Sequence, residues 1–210
     1  MGFSQEDESE KPEAAWENPV LVIVRGIKYN ESYKMLTGGI CMGSYLNPGN
    51  SGFSNMRNDV YVDKTEMISL INQTINTPRN LTCISRPRRF GKSFAAKMLC
   101  AYYDKTCDSK ELFDDLKIAK DDEYLKYLNQ YDVIHMDIQW FVSNCSDVNR
   151  VITFITKSVL DELQEIYPCL AQQPVATLPD ALSRIKDKTG QKFVIIIDEW
   201  DVLIRDESAN

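Results

Sequence analysis

Short, mainly apolar runs alternate along the chain with longer stretches in which apolar residues recur at helical spacing. The runs cover residues 20–24, 81–85, 131–138 and 193–197, and each has the length of a strand. The last run, Phe-Val-Ile-Ile-Ile, is apolar on both faces, which is typical of a strand in the middle of a parallel sheet. Strands that alternate with helices in this way predict an α/β fold with helices on both sides of a parallel sheet.

The predicted helices lie between these runs. The clearest begins at Asp147 and ends before Pro168, with apolar residues three or four positions apart from Val148 to Ile166. Others are predicted for residues 93–103, 108–116 and 179–188, the last with Gly190 as its C-terminal cap. Asp63 and Glu66 have the spacing of a capping box at the start of a further helix that ends before Pro78.

The segments before residue 60 carry weaker patterns. Residues 1–18 are polar and acidic and predict a disordered leader, and residues 20–24 are a possible strand. Residues 47–52 read Asn-Pro-Gly-Asn-Ser-Gly, the composition of a loop. The organised domain is therefore predicted to begin near Val60.

Composition narrows the class of protein. The chain has 210 residues, a net charge of −7 and charged and apolar fractions of 26% and 43%, values of an ordinary globular domain. The negative charge argues against a protein whose whole surface binds nucleic acid. Six cysteines without C-x-x-C spacing and one histidine argue against a structural zinc site. The absence of a long apolar run and of a signal peptide pattern predicts a cytoplasmic protein that does not contact the membrane.

Gly91-Lys92-Ser93 lies between a predicted strand and a predicted helix, where a phosphate-binding loop belongs. In such a loop the backbone N–H groups and the lysine bind phosphate, and the serine hydroxyl binds Mg²⁺. The usual pattern has a glycine five residues before the second glycine, and this chain has Arg86 there. On its own, the tripeptide is equally compatible with a turn that caps a helix.

A second motif ends the last predicted strand. Ile-Ile-Ile is followed by Asp198 and Glu199, the form of a Walker B strand. The aspartate of such a strand binds Mg²⁺, and the glutamate orients and deprotonates an attacking water. Acids that merely cap a turn are the alternative for this motif alone, but the two motifs in this order within an α/β pattern favour a nucleotide site.

Other polar residues have several possible roles. Arg86, Arg88 and Arg89 form a basic cluster that fits phosphate contact, nucleic-acid backbone contact or ion pairs in a solvated loop. Asp137 is expected at the same edge of the sheet as Asp198, where a polar cap is its more common role. Asp201 is placed to orient the Walker B pair or to contact an arginine.

Three stretches resemble the bacterial AAA-ATPase-like proteins. They are Tyr-Val-Asp-Lys-Thr at 61–65, Ser-Arg-Pro-Arg-Arg-Phe-Gly-Lys-Ser at 85–93 and Ile-Asp-Glu-Trp-Asp at 197–201. Because that family carries this loop in place of the usual Walker A start, Arg86 fits its pattern. The resemblance implies a P-loop NTPase-type sheet, ATP and Mg²⁺ as cofactors, Lys92 and Glu199 as catalytic residues, and Ser93 and Asp198 as metal ligands. The nucleotide-binding residues that it implies are Arg86, Pro87, Arg88, Arg89, Phe90, Gly91, Lys92, Ser93 and Phe94.

The resemblance also bears on domain organisation. Similar members begin near the position of Met42, so residues 1–41 are expected to be a disordered or spurious extension and residues 42–210 the N-terminal part of the domain. Related ATPases have a later sensor strand between the P-loop and Walker B strands. The sheet is therefore expected to be incomplete at its C-terminus, with these two strands either paired directly or separated by a gap.

Three functions follow as alternatives. The first is ATP binding with Mg²⁺-dependent hydrolysis in the full-length family protein. The second is a nucleotide-binding fragment that does not hydrolyse ATP, which an incomplete sheet favours. The third is a nucleic-acid-associated module that uses the three arginines. The resemblance also implies that family members often carry a C-terminal nuclease-like domain, through which nucleic acid would be contacted, and no nuclease activity is expected of residues 1–210.

Overall fold

The computed structural model describes residues 20–24, 44–84, 91–145, 147–171 and 174–203. Within them the strands are β1 Val20–Val24, β2 Leu81–Ile84, β3 Asp132–Asp137 and β4 Phe193–Asp198. The helices are α1 Ser51–Arg57, α2 Glu66–Asn72, α3 Lys92–Tyr103, α4 Lys110–Phe113, α5 Tyr124–Tyr127, α6 Ile138–Asn144, α7 Val151–Ile166 and α8 Leu178–Thr189. Single 3₁₀ turns lie at Lys117–Lys120, Val148–Arg150 and Pro168–Leu170.

The four strands form one parallel sheet in the order β2-β1-β4-β3. The parallel sheet and the strands predicted near 81, 131 and 193 are confirmed. The expectation for the space between β2 and β4 is wrong, because these strands neither pair directly nor leave a gap: β1 lies between them and pairs with both. The sequence Val-Leu-Val-Ile-Val suits such a position, and Val22 at its centre is fully buried.

Two apolar cores cover the two faces of the sheet. Alternate strand residues such as Val133, Val194 and Ile196 face the first core, which α1, α2 and α3 help to build. Their neighbours, such as Ile134 and Phe193, face the second core. Residues of α6, α7 and α8 complete that second core, namely Phe141, Val159, Leu160, Leu163, Ala181 and Ile185. The predicted arrangement of helices on both sides of the sheet is confirmed.

The organised structure also begins earlier than predicted. Residues 44–47 run beside the outer edge of β3, where Leu46 forms an antiparallel bridge to Ile134. The Glu162 carboxylate accepts hydrogen bonds from the amides of residues 44–46 at 2.8–3.3 Å, which fixes this segment on α7. Helix α1 follows at once, in part of the segment predicted to be a loop. The predicted start near Val60 is therefore wrong.

The role predicted for Asp63 is also corrected. The N-cap of α2 is Thr65, and Asp63 accepts hydrogen bonds from the Thr65 amide and hydroxyl instead of forming a capping box with Glu66. The expectation that residues 1–41 form an extension outside the domain does not fit β1. The rest of that range lies outside the described residues.

None of the helices described here combines the length and the apolar character that crossing a bilayer requires.

Candidate functional site

The loop after β2 leads into α3 at the carboxyl edge of the sheet. Gly91 is the N-cap of α3 and has a φ of 71°, a left-handed conformation that glycine adopts without steric cost. Lys92 is the first residue of the helix, and Ser93 and Phe94 are exposed on its first turn. The predicted binding residues Arg86, Pro87, Arg88, Arg89 and Phe90 lie outside the described residues, so their roles stay predictions.

The end of β4 carries three buried acids. Asp198 is its last residue, and Asp198, Glu199 and Asp201 are each no more than 5% exposed. The Glu199 amide donates a hydrogen bond to Asp198 Oδ1 at 3.0 Å, which fixes the orientation of that carboxylate. Burying several carboxylates together costs free energy through desolvation and repulsion, and nearby cations offset that cost.

Glu199 has an unusual backbone conformation. Its φ is 54°, in the left-handed region that side chains other than glycine, asparagine and aspartate seldom adopt. Such conformations cost about 1–3 kcal/mol and cluster at functional sites. The strain turns the chain sharply at the end of β4, at the residue predicted to position the attacking water.

The register of the sheet brings the two motifs to one edge. Ile84, Val24, Asp198 and Asp137 are successive partners in one row across the four strands. At the usual spacing of neighbouring strands, Ile84 and Asp198 are about 10 Å apart with β1 between them. Helix α3 packs against β1, β3 and β4. A helix that follows a strand of a parallel sheet begins at the carboxyl edge of that sheet. The phosphate-loop end of β2 and the acids of β4 therefore face one region.

Asp137 completes the row on the other side of Asp198. It is the N-cap of α6 and accepts a hydrogen bond from the Trp140 amide at 3.2 Å, which confirms its predicted role as a cap. Burial raises the pKa of its carboxyl group, although hydrogen bonds and the charge of Lys97 act in the opposite direction. Asp137 thus adds a second acidic side chain beside Asp198.

Sequence reasoning missed Lys97. Its side-chain carbons pack against Gly52, where an added Cβ would lie 3.4 Å from Cδ of the lysine. Its charge lowers the pKa of both Asp137 and His135, two side chains of β3. A lysine in the middle of a helix is usually solvated, and only the packing of α3 on the sheet gives it this position.

The residues present fit a magnesium ion. Mg²⁺ takes oxygen ligands, keeps several waters and is usually held by one or two carboxylates together with substrate phosphates. Asp198 supplies a carboxylate at the edge of the sheet, and Ser93 supplies a hydroxyl in the first turn of α3. Among the residues that the structure describes, no group of three or more His, Cys, Asp or Glu side chains is arranged to hold a metal. A magnesium ion shared with phosphate needs no such cage.

Comparison with known proteins identifies the family of the chain. The model of the family described as "Predicted AAA-ATPase" matches residues 48–210. The match includes both motifs of the candidate site and begins downstream of β1. No curated protein and no solved structure matches the chain.

Proposed function

We propose that this chain, which belongs to the predicted AAA-ATPase family, binds ATP with Mg²⁺ at the carboxyl edge of its sheet and hydrolyses it. The family membership supports nucleotide binding in general. The observation that carries the specific proposal is the row that joins the end of β2, through β1, to Asp198. That row sets the start of the phosphate loop about 10 Å from an acid suited to magnesium, a distance that a bound polyphosphate spans.

The phosphate half of the site is the turn into α3. The left-handed Gly91 allows the backbone to turn so that N–H groups at the start of the helix meet an anion. The partial positive charge at the N-terminus of α3 adds to the attraction, and no acidic residue stands in its first turn. In this proposal the Lys92 ammonium group binds the β- and γ-phosphates of ATP.

The metal half of the site is formed by Asp198 with Ser93. The Asp198 carboxylate is oriented by the Glu199 amide, and its burial strengthens its attraction for a cation. When bound, Mg²⁺ neutralises phosphate charge and aligns the phosphates. Asp198 and Ser93 would hold it from the two sides of the site.

Hydrolysis is assigned to Glu199. Water attacks the γ-phosphorus while the bond from that phosphorus to the bridging oxygen of ADP breaks, and products are ADP and inorganic phosphate. Glu199 orients the water and accepts its proton. The positive φ of Glu199 supports this role, because strained backbone conformations cluster at functional sites.

Binding is tested by calorimetric titration of ATP in Mg²⁺ with three proteins: the wild type, Lys92→Ala and Lys120→Ala. Lys120 is an exposed lysine on a 3₁₀ turn and controls for the lost charge. We expect Lys92→Ala to weaken ATP binding at least about 30-fold, as loss of a charged phosphate contact does, and Lys120→Ala to bind like the wild type. A wild-type chain that binds no ATP, or equal binding by Lys92→Ala, would contradict the proposal.

Hydrolysis is tested separately by phosphate release from Glu199→Gln, with Glu165→Gln on the exposed face of α7 as the control. We expect Glu199→Gln to lose activity by about 10²–10⁴-fold, the usual contribution of a general base, while it keeps its affinity for ATP. A wild-type chain that binds ATP without turnover would overturn the hydrolytic step and leave a nucleotide-binding protein.

A further inference from the structure

We propose that Asp137 is a positioning residue for the magnesium ion of the site: its carboxylate accepts hydrogen bonds from water bound to the ion, while Asp198 contacts the ion itself. The inference rests on the proposed function, because it adds a residue to the metal half of the same site. Three features of the structure support it, namely the register of β3 on β4, the face of the sheet on which the two acids stand, and the chemistry of the helix cap.

The register of the sheet sets Asp137 directly beside Asp198. The two residues are partners at the carboxyl ends of β3 and β4. Neighbouring strands lie about 4.8 Å apart, and residues that lie directly opposite each other point to the same face of the sheet. The other two members of the row, Val24 and Ile84, carry no charge. The row therefore has its two acids side by side, at the end farther from the phosphate loop.

The face that carries both acids is the face that α3 covers. Side chains alternate between the two faces along a strand, so Asp137 shares its face with Val133. In the same way, Asp198 shares its face with Ile196. Val133 and Ile196 both belong to the first core, together with residues of α3. Helix α3 also carries Ser93, the hydroxyl proposed for the metal, so the two carboxylates and the helix that bears this hydroxyl lie on one side of the sheet.

A buried imidazole stands on the same face, two residues before Asp137. The Nε2 atom of His135 is buried and has no hydrogen-bond partner among the residues that the structure describes. Buried polar atoms in proteins are bonded to other protein groups or to ordered water in the great majority of cases. This nitrogen is thus suited to a water molecule, as the carboxylate of Asp137 is. The two groups make the face of β3 beside α3 polar next to the proposed ion.

The cap of α6 does not by itself require a charged residue. Asp137 accepts a hydrogen bond from the Trp140 amide at 3.2 Å, and asparagine or serine caps a helix about as well as aspartate does. Like charges on directly opposite residues of neighbouring strands destabilise a sheet. A carboxylate beside Asp198 therefore lowers stability where a neutral cap would not, and a cation bound between the acids and the phosphates removes that repulsion.

The chemistry of magnesium favours contact through water. Mg²⁺ usually keeps several waters when it is shared with substrate phosphates, and each ligand oxygen lies about 2.1 Å from the ion. A carboxylate accepts a hydrogen bond from such a water at about 2.6 Å, which suits a residue one strand away from the direct ligand. Loss of an outer partner of this kind typically weakens metal binding about 10–100-fold. Asp137 therefore has the position of an outer partner of the ion.

The test measures the affinity of the full chain for ATP by titration calorimetry, with Mg²⁺ and with EDTA. The proteins are the wild type, Asp137→Asn, Asp137→Ser, Asp198→Asn and the control Asp147→Asn, which replaces another aspartate that accepts a backbone hydrogen bond. We expect both variants of Asp137 to weaken ATP binding about tenfold in Mg²⁺, and Asp198→Asn to weaken it more. In EDTA both variants of Asp137 should bind ATP no more weakly than the wild type, because an acid that repels phosphate has been removed.

Stability separates this role from a structural one. The free energy of unfolding without nucleotide should not fall in Asp137→Asn or Asp137→Ser, because both residues keep the cap of α6. Asp147→Asn should match the wild type in every measurement. A loss of ATP affinity that is equal in Mg²⁺ and in EDTA would overturn the proposal, because a contact to the ion acts only when the ion is bound.

The outcomes also distinguish this inference from the proposed function. If Mg²⁺ strengthens ATP binding equally in the wild type and in both variants of Asp137, but not in Asp198→Asn, the proposed site stands and the role of Asp137 is overturned. A loss in Asp137→Asn as large as that in Asp198→Asn would overturn the contact through water and make Asp137 a direct ligand. If the wild type binds no ATP, both proposals fail together.

Discussion

Strand β3 begins and ends with an aspartate, and the two carboxylates have different surroundings. Asp132 at the amino end is fully buried and is joined to side chains from distant parts of the chain. Asp137 at the carboxyl end is half-buried, caps the next helix and stands in the row that contains Asp198. One strand therefore carries an acid that builds the fold and an acid that borders the candidate site.

At the amino end of β3, Asp132 is the centre of a network of side chains. Asp132 accepts hydrogen bonds from the side-chain amide of Asn47 at 2.8 Å and from the Tyr167 hydroxyl at 2.6 Å. Lys105 completes it with an ion pair of 2.7 Å. Asn47 belongs to the segment beside β3, Tyr167 follows α7 and Lys105 follows α3, so one carboxylate joins three parts of the fold. Its buried charge is balanced within the protein.

At the carboxyl end of β3, Asp137 stands beside Asp198 of β4. The Trp140 amide donates a hydrogen bond to Asp137 and the Glu199 amide donates one to Asp198, and these bonds orient the two carboxylates. Further acids, Glu199 and Asp201, are buried alongside. Concentrating like charges lowers stability, and proteins accept that cost at binding sites. The comparison predicts opposite effects of neutralising acids at the two ends.

The largest effect is expected at the amino end. Asp132→Ala leaves Tyr167, Asn47 and Lys105 without their shared acceptor, and we expect it to lower the free energy of unfolding by about 3 kcal/mol. Urea denaturation followed by circular dichroism measures this. ATP affinity of the folded variant should be unchanged, and Asp122→Ala on an exposed turn serves as a control. A loss below about 1 kcal/mol would break the distinction between the two ends.

A pH effect is expected from the strand between these ends. Burial and the charge of Lys97 lower the pKa of His135 from 6.5 to about 4. The unfolded chain takes up this proton at higher pH than the folded chain, so stability is complete above pH 6.5 and falls as pH drops toward 4. Denaturation at several pH values should show a loss of about 3 kcal/mol over that window. His135 is the only histidine, and His135→Gln should flatten this part of the profile.

Glu199 is expected to lower the free energy of unfolding of the wild-type chain. Replacing it with glycine releases the left-handed strain at φ 54° and removes a buried charge, so Glu199→Gly should raise the free energy of unfolding by about 1 kcal/mol. Glu199→Gln keeps the strained backbone and should gain less. Equal stability of the two variants would show that backbone strain is not part of the cost of this site.

The smallest effect is expected for Asp137. Asn caps helices as well as Asp does, so Asp137→Asn keeps the cap of α6 and removes a charge that burial disfavours. We expect unfolding free energy at pH 7 to rise by less than about 1 kcal/mol. The matched change is Asp147→Asn, another aspartate that accepts a backbone hydrogen bond, from Asn149 at 2.9 Å, and it should be neutral. Destabilisation by Asp137→Asn would place this acid with Asp132 as a structural one.

Local sequence patterns predicted most of the helices and strands, but not which strands lie next to each other in the sheet. Three of the apolar runs form strands that end within one or two residues of the predicted bounds. The length of a strand and the turn residues that bound it are local properties of the sequence. The run at 20–24 predicted a strand as well, but its place between β2 and β4 depends on pairing that no local pattern encodes. Helix α1 was missed because its first residues have loop composition, while burial of Phe53 holds it in place.

The place of the candidate site in the fold was predictable to a similar degree. Gly91, Lys92, Asp198 and Glu199 carry motif spacing, and the parallel sheet brings their elements to one edge. Lys97 carries no such signal, because its position depends on the packing of α3. The strain at Glu199 is likewise visible only in the backbone.

The central claim is that Asp198 holds the magnesium ion of a bound nucleotide. The most direct measurement is the ATP affinity of the wild type and of Asp198→Asn, each with Mg²⁺ and with EDTA. Mg²⁺ should strengthen ATP binding by at least about tenfold in the wild type and by much less in Asp198→Asn, with little loss of stability in the variant. An equal Mg²⁺ effect in both proteins would contradict the account.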